Sequence, residues 1–563
     1  MNVTTQAASP DLIVVGAGAG GMTAALVAAL EGLRVVLCEA SDQVGGTTAT
    51  SAGTLWLPGN RQGEAAGYTD TVEAAREYLG ALIGPLDPRG RRAAYLASGD
   101  EALGYLQARS AVAFASSGKH PDYLPSLPGA AVSGRAVSPL PFDGRLLGRD
   151  FERVRPPLPE FMVPGGMMIG KADISALLSR FRSWRDFIHS ARLVLRYGID
   201  RLRYSRGTRL VMGNALVARL FYSLRQAGVD VRFGWRLQEL TSESGRVTGA
   251  RFECEGRSHT LMAHQGVVLA TGGVGHHEML RQELDGSGLK VYPIAPPSVR
   301  GEGMEAARGV GAGIERHTGN FFWQPVSRVP RADGSTGLFP HLFLDRAKPG
   351  LVAVDSQGRR FANEASSYHH FVEGMVAARA VPAYLVCEAA FIRRYGLGAI
   401  APQTTDLKPW VARRYLTIAP TLAELTHQLQ MPIGALEATM ARYNEGARAG
   451  SDPDFGKGSS VFDRFNGDPS HGPNPCLAPI ENGPFCAMAV WPGDAASSAG
   501  LLTDAYGCVL DAAGERLAGL YACGNDAASV MQGHYPGPGT TLGPAMVEGY
   551  RIARYVRSLG AGA

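Results

Sequence analysis

Residues 11–15 form a short apolar run that stops at Gly16-Ala17-Gly18-Ala19-Gly20-Gly21 and gives way to a small-residue stretch at 22–30. A brief apolar segment, a glycine cluster and a longer small-residue segment predict a strand, a tight turn and a helix. A second run, 33–39, ends in Glu39 and predicts the next strand. Further along, residues 266–269 predict a strand that ends in Ala270-Thr271-Gly272-Gly273, and Thr540-Thr541-Leu542-Gly543-Pro544 opens a final helix. No apolar run approaches the roughly 18 residues that a membrane-spanning helix requires.

Composition sharpens this α/β pattern. The chain has 563 residues, 45% hydrophobic and 19% charged, with a formal net charge of +4. That hydrophobicity argues against disorder, and the length accommodates one large or two medium domains. Glycine is in excess, at 72 residues, against a usual share of about 7%. The apolar pattern begins close to the N-terminus without a basic leader, so a secretory signal is not expected. Seven cysteines, an odd number with no C-x-x-C pair, point to neither a disulfide framework nor a zinc site. The expected compartment is reducing and cytoplasmic.

The glycine loop has a physical reading. Gly16 permits the tight turn, Gly18 lets a pyrophosphate approach the backbone, Gly21 lets helix and strand pack closely, and the helix N-terminus supplies N–H groups and positive dipole. Glu39, 18 positions beyond Gly21, is placed to bind ribose hydroxyls. A second cluster, Gly45-Gly46-Thr47-Thr48 and Ser51-Ala52-Gly53, follows this acid and can run along the far half of FAD. Gly524-Asn525 and the helix opening at Thr541 form a further approach, with the helix N-terminus facing the flavin pyrimidine. Glycine clusters converging on one elongated cofactor account for the glycine excess.

Together these segments resemble the flavoprotein family of fumarate reductases, succinate dehydrogenase flavoprotein subunits and 3-ketosteroid dehydrogenases, over nearly the whole chain. The resemblance implies a Rossmann-like FAD-binding domain built from both chain ends, 1–280 and 483–563, interrupted by an α+β catalytic domain at 281–482. Gly301-Glu302-Gly303 matches the family's G-D-G segment with glutamate in place of aspartate. The implied FAD is non-covalent and touches Gly16, Gly18, Ala19, Gly20, Gly21, Glu39, Ala40, Gly45, Gly46, Thr47, Thr48, Ser51, Ala52, Gly53, Ala270, Thr271, Gly272, Gly524, Asn525, Thr541 and Leu542.

Three further segments select a branch of the family. Fumarate reductases carry a proton-donating arginine at the position that corresponds to Tyr368, in Gly358-Arg359-Arg360-Phe361-Ala362-Asn363-Glu364-Ala365-Ser366-Ser367-Tyr368. A neutral phenol suits an apolar ligand better than a dicarboxylate. His534-Tyr535-Pro536-Gly537-Pro538-Gly539 resembles the Tyr-x-x-x-Gly element of 3-ketosteroid Δ1-dehydrogenases, and Pro121-Asp122-Tyr123 resembles their segment bearing a third active-site tyrosine. The resemblance implies that Tyr535 and the Gly539 N–H hold a C3 carbonyl while Tyr368, assisted by Tyr123, removes a C2 proton. The C1 hydride goes to flavin N5. The expected reaction is formation of a C1=C2 bond in a 3-ketosteroid. A Δ4-dehydrogenase or another ene-forming or ene-reducing flavoenzyme is the alternative, and a dicarboxylate oxidoreductase is disfavoured. No metal is expected, because the His276-His277 and His369-His370 pairs are adjacent and their side chains diverge.

Residues 180–209 carry nine arginines against two aspartates, a local charge of +7, with Phe181, Trp184, Ile188, Ala191, Leu195 and Leu202 near helical spacing. This pattern predicts a helix lying on an anionic membrane surface or packing its apolar face on the body of the enzyme. The expected partners are a 3-ketosteroid, an electron acceptor such as a quinone and the inner face of the cell membrane. No nucleic-acid module accompanies the charge.

Overall fold

The computed structural model describes residues 9–163, 166–170, 173, 176, 177, 179, 183–343 and 345–560. The apolar run near the N-terminus becomes the strand Leu12–Val15, buried at every position. It lies inside a six-stranded sheet in the order Cys508–Leu510, Arg516–Ala522, Val267–Leu269, Leu12–Val15, Val35–Glu39 and Asp230–Phe233. The five strands from Arg516–Ala522 onward pair in parallel, and Cys508–Leu510 adds an antiparallel edge. A parallel sheet buried on both faces explains why these strands read as continuous apolar runs.

The first helix spans Ala19–Leu30, so it begins three residues before the stretch 22–30. The glycine cluster itself forms the first helical turn, with Gly18 as N-cap and the Met22 N–H donating to the Gly18 carbonyl at 2.9 Å. A Cβ built on Gly21 would lie 2.0 Å from the Gly16 carbonyl oxygen, so glycine is what lets this helix sit against its strand. The C-terminal helix Leu542–Gly560 crosses the first one at Gly549, where an added Cβ would lie 2.6 Å from the Gly20 carbonyl oxygen. The two chain ends therefore close one unit.

A second, largely antiparallel sheet runs Thr336–Pro340, Phe321–Pro330, Phe485–Ser497, Ala383–Glu388 and Leu351–Val354, with Tyr292–Pro293 and Thr417–Ala419 also paired to Phe485–Ser497. Its central strand extends beyond residue 482 to Ser497. The cleft between the two units holds the cavity described below.

The basic segment contains the helix Trp184–Asp200, capped by Ser183, whose hydroxyl accepts from the Asp186 N–H. Arg180, Phe181 and Arg182, which open that segment, lie outside the described residues. Trp184 and Leu202 are 75% and 83% exposed, and Phe187, Val194, Leu195 and Ile199 are exposed as well. Leu193 packs inward, as does Asp200, which accepts from the Thr208 N–H and hydroxyl at 2.8 Å. Among the described residues, no helix is long and apolar enough to cross a membrane.

Candidate active site

A cavity of about 470 Å³ runs from Glu39 and Trp235, past the glycine loop, to Tyr368 and Tyr535. Of the 21 positions expected to touch FAD, every one lines it except Gly21 and Gly45. Those two act from behind. Gly21 seats the helix, and Gly45, at φ +117°, leaves room for Ala49 and Val217, which an added Cβ would approach to 2.9 and 3.0 Å.

The cradle is braced by its own polar groups. Glu39 accepts from the Ala17 N–H at 2.9 Å and from the Ser41 N–H at 2.9 Å, which fixes the carboxylate at the end of its strand. The Thr48 hydroxyl accepts from the Ala19 N–H at 3.2 Å and ties the second glycine loop to the first helix. A Cβ on Gly18 would meet nothing within 4 Å, so this residue faces open cavity. No arginine or lysine lines the cavity among the described residues. The donors for a pyrophosphate are therefore the backbone N–H groups and dipole of the helix N-terminus. These features fit an elongated dinucleotide.

Sequence reasoning missed residues that complete this region. Trp235 lines the cavity near Glu39 and stacks on His259 at 4.9 Å between ring centroids. Asp526 is buried and accepts from the Gly273 N–H and the Thr271 hydroxyl, each at 2.9 Å, locking the loop after Val267–Leu269. Glu302, which the G-D-G resemblance singles out, lines the cavity and opens the helix Glu302–Arg308, and its partner Arg236 is what the sequence did not show. An unpaired-looking acid in one sequence carries no signal of such partners.

At the opposite end three tyrosines meet. The Tyr123 hydroxyl donates to the Tyr368 oxygen at 3.0 Å. The rings of Tyr123 and Tyr535 stack at 5.4 Å with a 16° interplanar angle, while Tyr368 meets Tyr535 edge-on at 5.1 Å. Gly539 lines the same wall at φ +95°, and a Cβ there would lie 2.5 Å from the Thr54 carbonyl oxygen. Its carbonyl accepts from the Gly543 N–H at 3.0 Å, whereas its N–H has no acceptor among the described residues.

Each tyrosine is held by local structure. Tyr368 is the first residue of the helix Tyr368–Ala377, capped by Ser367, whose hydroxyl accepts from the His370 N–H at 3.2 Å. The Tyr123 N–H donates to the Pro536 carbonyl at 2.9 Å, and the Tyr78 hydroxyl donates to the same carbonyl at 2.8 Å. Asp122, between them, accepts from Trp56 Nε1 at 2.8 Å and Arg135 at 2.6 Å. Burial pushes the Asp122 carboxyl up to about 6, with Arg135 opposing.

Burial dominates the electrostatics of the cluster. Desolvation raises the pKa of Tyr123, Tyr368 and Tyr535 well above 10. Phe343 adds an apolar face, 5.8 Å from the Tyr123 ring and 5.1 Å from the Tyr368 ring. Leu158, Phe161, Ile169, Phe339 and Leu342 add further apolar lining to the cavity. His369 is buried beside Tyr535, its Nδ1 accepting from the Trp323 N–H at 3.1 Å and its Nε2 lying 3.2 Å from Glu373. His370 is pushed down to about 4 by burial.

Comparison with known proteins identifies the family. Residues 11–542 match a family described as FAD binding domain. The 4-oxocyclohex-2-ene-1-carboxylate 5-dehydrogenase of Sinomonas cyclohexanicum is 38% identical, over 98% of this chain and 94% of that protein. The 3-oxosteroid 1-dehydrogenase of Mycolicibacterium smegmatis is 35% identical over 96% of each chain. The crystal structure of 3-ketosteroid Δ1-dehydrogenase from Sterolibacterium denitrificans, in complex with 1,4-androstadiene-3,17-dione, superposes with a TM-score of 0.90 at 34% identity, covering 98% of this chain and 99% of that one. The chain belongs to the FAD-binding flavoprotein family that includes these dehydrogenases, and FAD is its cofactor.

Proposed function

We propose that the protein is an FAD-dependent 3-ketosteroid Δ1-dehydrogenase, with Tyr368 as base, Tyr123 as its hydrogen-bond partner, and Tyr535 with the Gly539 N–H as the clamp on the C3 carbonyl. The observation that carries this reading is the meeting of three buried hydroxyls and one unengaged N–H at the apolar end of the cofactor cavity. A ketone held by two donors acidifies its neighbouring C–H, because the developing enolate oxygen is stabilised where charge appears; each such donor is typically worth about 3 kcal/mol. Tyr535 and Gly539 supply those donors. Tyr368, receiving a hydrogen bond from Tyr123, takes the C2 proton. Bound FAD supplies the acceptor for the hydride leaving C1. The apolar wall of Leu158, Phe161, Phe339 and Phe343 excludes water from this step. The second sheet, from about residue 281 to Ser497, serves as the substrate domain.

A second reading follows from the Sinomonas relative, which acts on a cyclohexene carboxylate. A carboxylate calls for a permanent cation, and no arginine or lysine lines the cavity among the described residues. The neutral steroid is the better fit. The discriminating experiment incubates the holoenzyme and an artificial electron acceptor with androst-4-ene-3,17-dione, its 5α-saturated analogue or 4-oxocyclohexanecarboxylate, and locates any two-hydrogen loss by mass spectrometry. Loss at C1 and C2 of the steroid is expected. Turnover of the carboxylate alone would replace the steroid reading.

The physiological acceptor is a membrane quinone in this reading, and the exposed face of Trp184–Asp200 brings the enzyme to the bilayer. Trp184, Phe187, Leu195 and Leu202 point into solvent beside the arginines of 185–209. Apolar side chains beside guanidinium groups suit an anionic lipid surface. Flotation with phosphatidylglycerol vesicles should carry the protein, and phosphatidylcholine vesicles should not. Replacing Trp184, Leu195 and Leu202 with serine should abolish flotation; equal flotation of that variant would remove this face from the reading.

A further inference from the structure

A base buried among aromatic rings meets a physical obstacle. Burial opposes the charged form of Tyr368, and Tyr123 and Tyr535, the phenols facing it, are themselves held neutral. Two hydrogen-bonding phenols disperse a negative charge but do not balance it. His370 is neutral, and His369 is engaged by Trp323 and Glu373.

The cation whose charge opposes the rise that burial imposes on Tyr368 is Arg346, which is 1% exposed. Its guanidinium donates to backbone carbonyls: Nε to His341 at 2.9 Å, Nη1 to Glu364 at 2.7 Å, Nη2 to Leu342 at 2.6 Å, with Ser366 3.3 and 3.4 Å from Nη1 and Nη2. None of these acceptors carries a full charge. Phe371, one turn beyond Tyr368, covers the guanidinium, with Cζ 4.7 Å from the ring centroid. The side chain thus joins the cavity-wall segment bearing Leu342 and Phe343 to the turn that ends two residues before Tyr368.

The carboxylates facing Arg346 have partners of their own. Asp345 accepts from His341 Nδ1 at 2.6 Å and the Gly398 N–H at 3.1 Å. Glu364 accepts from Arg360 at 2.8 Å and lies 3.7 Å from Lys457. Asp463 accepts from the Gly458 N–H and from Asn363, both at 3.0 Å. Part of the Arg346 charge is therefore left for a phenolate.

We infer that Arg346 is the positioning residue for the base: it locks the turn before Tyr368 onto the Leu342–Phe343 wall and sets a positive charge at the start of the helix whose first residue must lose its proton. The N-terminal end of the helix Tyr368–Ala377 acts in the same direction. Arginine suits this role because its fork reaches several carbonyls at once, and although burial pushes this guanidinium down to about 10, it keeps its charge below that pH. The inference rests on Tyr368 being the base.

The test follows flavin reduction in the FAD-loaded enzyme by androst-4-ene-3,17-dione in single turnover, from about pH 6 to pH 9, below the range in which Arg346 itself loses charge. The wild-type rate should rise with pH along one limb, and Y368F should lack it. In R346Q the limb should move alkaline by roughly one to two units, slowing reduction at a pH below it by about 10- to 100-fold. FAD content and steroid Kd should remain within about twofold of wild type. R346K keeps the charge and loses the fork, so its limb should stay within about half a unit of wild type. Direct titration of 3-fluorotyrosine at position 368 by 19F NMR should give the same displacements.

An unmoved limb in R346Q, an R346K limb displaced as far, or loss of FAD or steroid binding in R346Q would overturn the inference. If R346Q does not fold, the R346K limb and its 19F titration decide alone. A wild-type rate in Y368F would instead overturn the base assignment itself.

Discussion

The Tyr123 hydroxyl donates to the Tyr368 oxygen across 3.0 Å, although the two residues stand 245 positions apart. The direction of that bond matters, because a donated hydrogen stabilises a phenolate more than a phenol. Hydrogen bonds to charged groups are typically worth about 1.5–3 kcal/mol. Y123F should therefore slow single-turnover flavin reduction by roughly 10- to 100-fold while leaving steroid Kd within about twofold. Stopped-flow absorbance of the flavin measures both; a Kd change without a rate change would make Tyr123 a wall residue only.

Y368F should retain yellow colour and steroid binding and lose at least about 1000-fold in turnover, since no other described hydroxyl occupies its place beside both Tyr123 and Tyr535. Difference absorbance on steroid addition reports binding independently of turnover. Near-normal turnover would remove the phenol from the chemistry.

Two glycines of the dinucleotide loop should separate folding from binding. Gly18→Ala places a methyl in open cavity and should leave the apoprotein as stable as wild type while weakening FAD. Gly21→Ala drives a methyl to within 2.0 Å of the Gly16 carbonyl. It should lower apoprotein stability by several kcal/mol, in the range of overpacked core substitutions, typically about 1–3 kcal/mol or more. Calorimetry of the two apoproteins and flavin titration distinguish these effects; equal destabilisation by both would contradict the packing difference.

His370 predicts a stability change with a defined sign. Its folded-state value is pushed down to about 4 from 6.5, so the unfolded chain takes up its proton first. The contribution is present above about pH 6.5 and is lost as pH falls toward 4. It should amount to about 2 kcal/mol by pH 5. Denaturant titrations at pH 7 and pH 5 should show this loss, and His370→Gln should flatten it. An unchanged slope in that variant would assign the loss elsewhere.

Much of the cofactor end was legible in the chain itself. Gly16, Gly18 and Glu39 lie within one local strand, turn, helix and strand, so their spacing carries their geometry. The cavity-lining positions at 46–48, 51–53 and 270–272 also follow strands or turns whose glycines are visible in sequence. The helix start at Ala19 was not, because a glycine-rich turn and the first turn of a helix share the same composition. Nor was the length of the second sheet. Phe485–Ser497 is an apolar strand that could have served either domain, and its pairing with Phe321–Pro330 and Ala383–Glu388 assigns it to the second.

The tyrosine end divides differently. Tyr123, Tyr368 and Tyr535 were reached through motif resemblance, but nothing in a linear chain could orient one hydroxyl toward another or show Arg346 behind them. Trp235, Asp526 and the Asp122–Arg135 pair were missed for the same reason, since each acts through a partner distant in sequence. Local backbone chemistry determined the dinucleotide cradle, because turns and helix ends depend on near neighbours. Only tertiary packing decided which phenol faces which, which cation stands beneath them and which apolar helix face stays in solvent, because these depend on contacts between segments hundreds of residues apart.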